Sequence, residues 1–111
     1  MDMEHSPDLN MLTVSAADKV SIFDTKSFSL LKEIDMPMTF LEEGGASLHP
    51  SGKKIVAGGS DLWVRVFSYD TGECLETNKG HHGPIRCVRY ANDGKTYATG
   101  SEDGTIRLWR T

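Results

Sequence analysis

The chain has little of what marks several common protein classes. No apolar run approaches the roughly 20 residues that a helix needs to span a bilayer, so no membrane association is expected. The opening stretch, MDMEHSPDLN, is acidic and polar where a secretory leader is basic and then apolar, and a soluble, unsecreted chain is expected. Basic charge is short as well. Lys and Arg number 12 against 16 Asp and Glu, a formal net charge of −4. A phosphate-binding surface and direct nucleic-acid binding are therefore not expected. Cysteine is reduced to Cys74 and Cys87. Neither stands in a CxxC spacing and each lies inside a strand-like run, so both are expected to be reduced thiols packed as small hydrophobes. Helical periodicity is missing too; SFSLLKEID is the nearest approach to it, and it is better read as a strand.

What remains is a chain of 111 residues, 38% hydrophobic and 25% charged, a globular balance with room for one small domain. Its strongest feature is self-similarity. LHPSGKKIVAGGSDLWVRVF (48–67) lies over YANDGKTYATGSEDGTIRLW (90–109) without a gap. Gly52 meets Gly94, Gly58 meets Gly100, Asp61 meets Asp103 and Phe67 meets Trp109, each 42 positions on. A fainter copy, SPDLNMLTVSAADKVSIF (6–23), places Asp18 43 positions before Asp61. The contents of each copy are β. KIVAGG and TYATGS are short apolar strands, and WVRVF and TIRLW are rich in β-branched and aromatic residues. SEDG supplies the Asp and Gly that a tight turn requires. YDTGE and DTKSF then turn the chain into CLETNK and SLLKEI. Four strands in 42 residues is the dimension of one β-propeller blade. The reading is all-β, with blades at 1–35, 36–79 and 80–111.

Several polar groupings invite chemistry and do not support it. Thr99, His81 and Asp103 suggest a hydrolase triad, but the hydroxyl falls in mid-strand and no G-x-S-x-G elbow accompanies it. His81, His82, His49 and Cys74 match no zinc spacing. Gly44-Gly45 and Gly58-Gly59 precede no helix and so make no phosphate cradle. No catalytic residue, metal or cofactor is expected, and the protein is read as a non-enzyme.

The last copy, GHHGPIRCVRYANDGKTYATGSEDGTIRLW, resembles the WD40 repeat family. Gly80-His81 matches the glycine–histidine ahead of the inner strand, and TIRLW the strand ending in tryptophan; Trp109-Arg110 replaces the usual Trp-Asp. The resemblance implies a buried tetrad of His81, Thr99, Asp103 and Trp109. Asp103 would accept from His81, the imidazole would contact Thr99 (or Ser101, two residues on), and the indole N–H would donate to the hydroxyl. Such groups can satisfy one another, and unpaired they would cost roughly 1–3 kcal/mol each. FLEEGG stands in place of Gly-His in the middle copy and Phe67 in place of Trp, so packing is expected to hold that blade.

The resemblance implies a seven-bladed ring, of which the chain carries about two complete four-stranded repeats and a partial one. Three blades cannot close a ring, so edges and apolar faces are expected to be exposed at both ends, where the remaining blades of a longer chain would pack. Partners of propellers gather on the rims. The candidate protein-contact residues are Met38, Phe40, Leu41, Glu42, Asp61, Leu62, His82 and Glu102. Met36, Met38, Phe40 and Leu41 are apolar where a connection is expected, and packing on a neighbouring blade is the plainer reading of them.

The phrases ASLHP, VAGGSD, YDTGECLETNKGHHGPIRCVRY and the ending RT are similar to one subfamily of WD40 adaptors. That likeness implies a cytoplasmic and nuclear scaffold. Its partners would be components of the survival-of-motor-neuron complex, which assembles small nuclear ribonucleoproteins and so serves mRNA splicing. Proteins of the receptor serine/threonine kinase (TGF-β) pathway and an RNA-binding cold-shock protein would also be partners. The alternative resemblance is to the i subunit of eukaryotic translation initiation factor three, which shares the GH-GPI phrase and tends to lose the RLW ending kept here.

Overall fold

The computed structural model describes residues 2–36, 44–60, 63–79 and 83–110. Among the described residues the chain forms eleven β-strands in three antiparallel sheets, with a single 3-10 turn at Pro7–Leu9. The first sheet contains β1 (Asp2–Ser6), β2 (Met11–Ala16), β3 (Lys19–Asp24) and β4 (Leu30–Asp35). The second contains β5 (Gly45–Leu48), β6 (Lys54–Gly58), β7 (Trp63–Ser68) and β8 (Cys74–Lys79). The third contains β9 (Ile85–Tyr90), β10 (Thr96–Ser101) and β11 (Ile106–Arg110). In each sheet the strands pair in chain order, as the β-propeller reading expects, and SLLKEI forms β4. Such sheets, stacked in series, are β-propeller blades.

The sheets stack face to face, and the two-residue period of a strand decides which side chains meet. On the second sheet Ala46, Leu48, Ile55, Ala57 and Phe67 point one way, toward Val20, Ile22 and Ile34 of the first sheet and Met36 just beyond it. We term this its leading face. Val56, Val64 and Val66 point the other way, its trailing face, against Ile85, Val88 and Tyr97 of the third sheet. Phe67, which takes the place of a tryptophan, is buried in the first of these clusters. Each fully buried aliphatic here contributes about 1.5–3 kcal/mol, and the stacking of faces holds the blades in series. Met36 belongs to the first cluster, so for this residue packing is the observed role.

Where the chain enters β5 it presses against the end of β6, and one glycine is required there. Gly44 has φ +89°, and a Cβ on it would lie 2.2 Å from the Gly58 carbonyl oxygen. Only glycine fits a left-handed backbone pressed against another backbone.

The cysteines correct an expectation. Both are exposed rather than packed. Cys74 opens β8, the solvent-facing outer strand, where its thiol donates to the Glu76 carbonyl at 3.4 Å. Cys87 sits opposite Gly100 on the trailing face of the third sheet, which no other sheet covers. A strand-like context fixes alternation but not whether a neighbour arrives on that face.

Candidate interaction surface

The tight turn of the third sheet is fastened by its own side chains. Asp103 accepts from the Thr105 amide at 2.8 Å and from the Thr105 hydroxyl, an Asx turn that shapes the loop locally. Gly104 supplies the positive φ, +85°, and closes the turn by donating to Ser101 O at 3.2 Å. The turn is also tied down to the segment entering β9: Ser101 Oγ donates to Gly83 O at 2.8 Å, and the Glu102 amide donates to Pro84 O at 3.1 Å. Below it, Trp109 Nε1 donates to the buried Thr99 hydroxyl at 2.9 Å. The acceptor is thus Thr99 and not Ser101. His81 lies outside the described residues.

A second polar cluster was not anticipated from the sequence. Glu4, Ser47 and Arg89 hold one repeat position on the three inner strands, 43 and 42 positions apart, and they converge. Ser47 Oγ donates to Glu4 Oε1 at 2.9 Å and accepts from the Tyr90 amide at 2.9 Å. Glu4 also accepts from the Leu48 amide at 3.1 Å. Arg89 makes a forked pair with Asp2, at 2.8 and 3.1 Å, and its Nε lies 3.4 Å from Glu4. The hydrogen bond to Asp2 chiefly raises the Arg89 pKa, so its charge is fixed. The signal was the shared position: three polar residues at one inward register of three copies must meet where inner strands converge.

Aromatic rings run from this cluster through the interface of the second and third sheets. His49 meets Tyr90 edge-on at 4.9 Å, Tyr90 meets Tyr97 at 5.6 Å, and Tyr97 stacks on Trp109 at 6.2 Å. Asn78 Nδ2 donates to the Tyr97 hydroxyl at 2.8 Å. Burial raises the pKa of both tyrosines, so both stay neutral well into alkaline solution.

Of the candidate contact residues, Met38, Phe40, Leu41, Glu42, Asp61, Leu62 and His82 lie outside the described residues. Glu102 is on the rim, exposed, and pairs with Arg86 at 2.7 Å beside a shallow depression of about 330 Å³. At the opposite rim a cleft of about 390 Å³ is lined by Glu4, Asp8, Leu48, Pro50, Tyr90 and Asn92, among others. Trp63 is partly exposed, with Lys79 Nζ 4.3 Å and the Arg65 guanidinium 5.3 Å from its ring centre. Among the described residues no group of three His, Cys, Asp or Glu is placed to hold a metal. The geometry offers two rims and two end faces to a partner.

Comparison with known proteins follows the same lines. A family model described as "WD domain, G-beta repeat" matches residues 72–110. The serine-threonine kinase receptor-associated protein of Dictyostelium discoideum is 47% identical over 108 residues, 97% of this chain and 36% of that protein. The Homo sapiens protein of the same name is 42% identical over 109 residues, 98% of this chain and 30% of that protein. Periodic tryptophan protein 2 of Saccharomyces cerevisiae is 36% identical over 64 residues, 57% of this chain and 7% of that protein. The chain spans about a third of the length of the receptor-associated relatives it matches.

Proposed function

From the premise that this chain is a WD40-repeat protein, similar over nearly its whole length to serine-threonine kinase receptor-associated proteins, we propose that it serves as a non-catalytic adaptor in receptor serine/threonine kinase signalling of the TGF-β type. The observation that carries this reading is the 47% identity over 97% of the chain to a relative whose name states an association with such a receptor. The site supports the absence of catalysis. The hydroxyl nearest to a triad, that of Thr99, is buried in mid-strand and accepts from Trp109 instead of facing a substrate. Polar side chains of the turn and the inner strands are engaged with one another, which is how a scaffold uses them. From the subfamily phrases of the sequence alone, we extend the proposal to survival-of-motor-neuron components and an RNA-binding cold-shock protein as partners, in cytoplasm and nucleus.

The test is direct binding. The chain, immobilised, is titrated with the cytoplasmic domain of a receptor serine/threonine kinase and, separately, with purified survival-of-motor-neuron components. Saturable binding to the kinase domain that a Glu102→Lys rim variant weakens supports the reading. A chain that folds as β-sheet and binds none of these proteins at high micromolar concentration overturns it.

A further inference from the structure

One corner of the fold differs in charge between the first two sheets. In the first sheet Lys19 stands opposite Asp35, and Ser21 opposite Glu33. Lys19 Nζ lies 2.7 Å from Asp35 and 3.4 Å from Glu33, so this corner neutralises itself. On the second sheet the same register positions, 44 residues on, hold Trp63 opposite Lys79 and Arg65 opposite Thr77. Both carboxylates are gone, one replaced by a cation and the other by a hydroxyl. Lys79 Nζ lies 4.3 Å and the Arg65 guanidinium 5.3 Å from the centre of the Trp63 ring. A cation–π contact of this kind leaves the charge on Lys79 in place. Among the described residues no carboxylate lies within ion-pair distance of it. The indole is 38% exposed and belongs to neither buried cluster, so core packing does not account for it.

This corner adjoins an open edge. β8 is the outer strand of the second sheet, and among the described residues no strand pairs with its far side. Sheets of this fold join through their faces, and both faces of the second sheet are already covered, by the first and third sheets. Its outer edge therefore stays free however many sheets stack on either side. Every residue of β8 except Asn78 is exposed. Such an edge presents a row of N–H and C=O groups ready to pair with another chain.

We propose that the free edge of β8 takes up an extended acidic segment of a partner protein, which adds as a fifth strand and sets carboxylates beside Lys79 and Arg65. Backbone pairing with β8 gives the affinity, and the charged corner gives the choice of sequence. Alternate residues of an added strand share one face, so two carboxylates one residue apart fall level with Thr77 and Lys79. That is the spacing of Glu33 and Asp35, which serve Lys19 in the first sheet. The outer strand of the first sheet, β4, carries those two acids itself and repels such a segment, so the partner is directed to β8. Trp63 and Arg65 are also residue types that dominate the energetics of protein interfaces.

The probe is a short labelled peptide of threonine and valine with aspartate at two alternate positions, titrated with the full chain and followed by fluorescence anisotropy. Saturable binding that weakens as salt rises is expected. Lys79→Glu should weaken it about tenfold, the loss of one charge-assisted contact, and Trp63→Ala should weaken it as well. The Lys79→Glu variant should instead prefer the same peptide with lysine in place of aspartate. Hydrogen exchange at the β8 amides should slow in the complex, with those of β4 unchanged. Both sites are exposed, and unchanged circular dichroism verifies the fold; should either variant unfold, Lys79→Gln and Trp63→Phe are the milder versions. No saturable binding up to millimolar peptide overturns the proposal. So does binding that Lys79→Glu leaves unchanged, or a complex in which the β8 amides exchange as before. A single-stranded oligonucleotide that binds this corner more tightly than the peptide also overturns it, since the indole and its cations would then be a base-stacking site.

Discussion

Trp109 Nε1 reaches across to Thr99 Oγ1 at 2.9 Å, so the edge strand β11 is fastened to β10 by a side-chain bond as well as by its ladder. The hydroxyl is fully buried and the indole only partly, so removing the acceptor strands an N–H that water reaches poorly. Thr99→Val keeps the shape and deletes the oxygen, and it should cost about 1–3 kcal/mol. In a domain of this size that is a fall of several degrees in Tm, at about 4–8 °C per kcal/mol. Thr99→Ser should restore most of it in thermal melts. A valine variant that melts with the wild type would remove this bond from the account of the blade.

Ser47 ties the three inner strands together, giving its proton to Glu4 and accepting from the Tyr90 amide. Ser47→Ala leaves a backbone N–H without its acceptor and a carboxylate short of a donor. Equilibrium urea unfolding should show a loss of about 1–3 kcal/mol, with the slope unchanged. Glu4→Gln should cost less, because its amide oxygen still accepts from Ser47 and Leu48. The lost ion pair between Glu4 and Arg89 is worth about 1 kcal/mol or less, being partly exposed and screened by salt. If serine and glutamate variants were equally destabilised, charge rather than the hydroxyl bridge would be the stronger link.

Much of this was legible in the sequence because the repeat is read from spacing. The period, the turn residues and the alternation give the strands, their order and the two-faced blades before any coordinates. The acceptor of Trp109 was narrowed to two hydroxyls and resolves to Thr99. What alternation does not carry is which faces find a neighbour. Cys87 and Leu108 follow the pattern of packed residues, yet both stand on a face with no sheet against it. The Glu4, Ser47 and Arg89 cluster was missed for a related reason. Its members differ chemically from copy to copy, so alignment by similarity passes over them, while alignment by register places them together.

The tyrosines give the chain an alkaline signature. Tyr69, Tyr90 and Tyr97 all have pKa values raised above the ordinary 10.0, in each case chiefly because burial disfavours the phenolate. A raised folded-state pKa contributes stability that is fully present below the unfolded value and is lost as pH rises through the folded one. Stability should therefore hold up to about pH 10 and decline above it. Phenolate absorbance of the native chain should titrate late, and in denaturant it should return to the ordinary range. Tyr90→Phe should flatten part of the alkaline decline, since Tyr90 has the largest shift of the three. Native tyrosines titrating together at the ordinary value would place these rings in water, contrary to the stacked interface.

Two glycines separate backbone conformation from space. Gly104 has φ +85° with nothing within 4 Å of an added Cβ, whereas Gly44 has φ +89° with the Gly58 carbonyl oxygen 2.2 Å away. Alanine at either site meets the left-handed penalty of about 1–2 kcal/mol. At Gly104 that should be the whole cost, read as a small drop in the unfolding midpoint. At Gly44 the methyl must also push apart two backbones where the first residues of the second sheet approach its middle strand. The loss should exceed about 4 kcal/mol, a magnitude reserved for a few severe mechanisms. Equal, small effects at both positions would mean that the entry to β5 can move off the end of β6 without loosening the second sheet, and this tight approach would then be incidental to stability rather than a source of it.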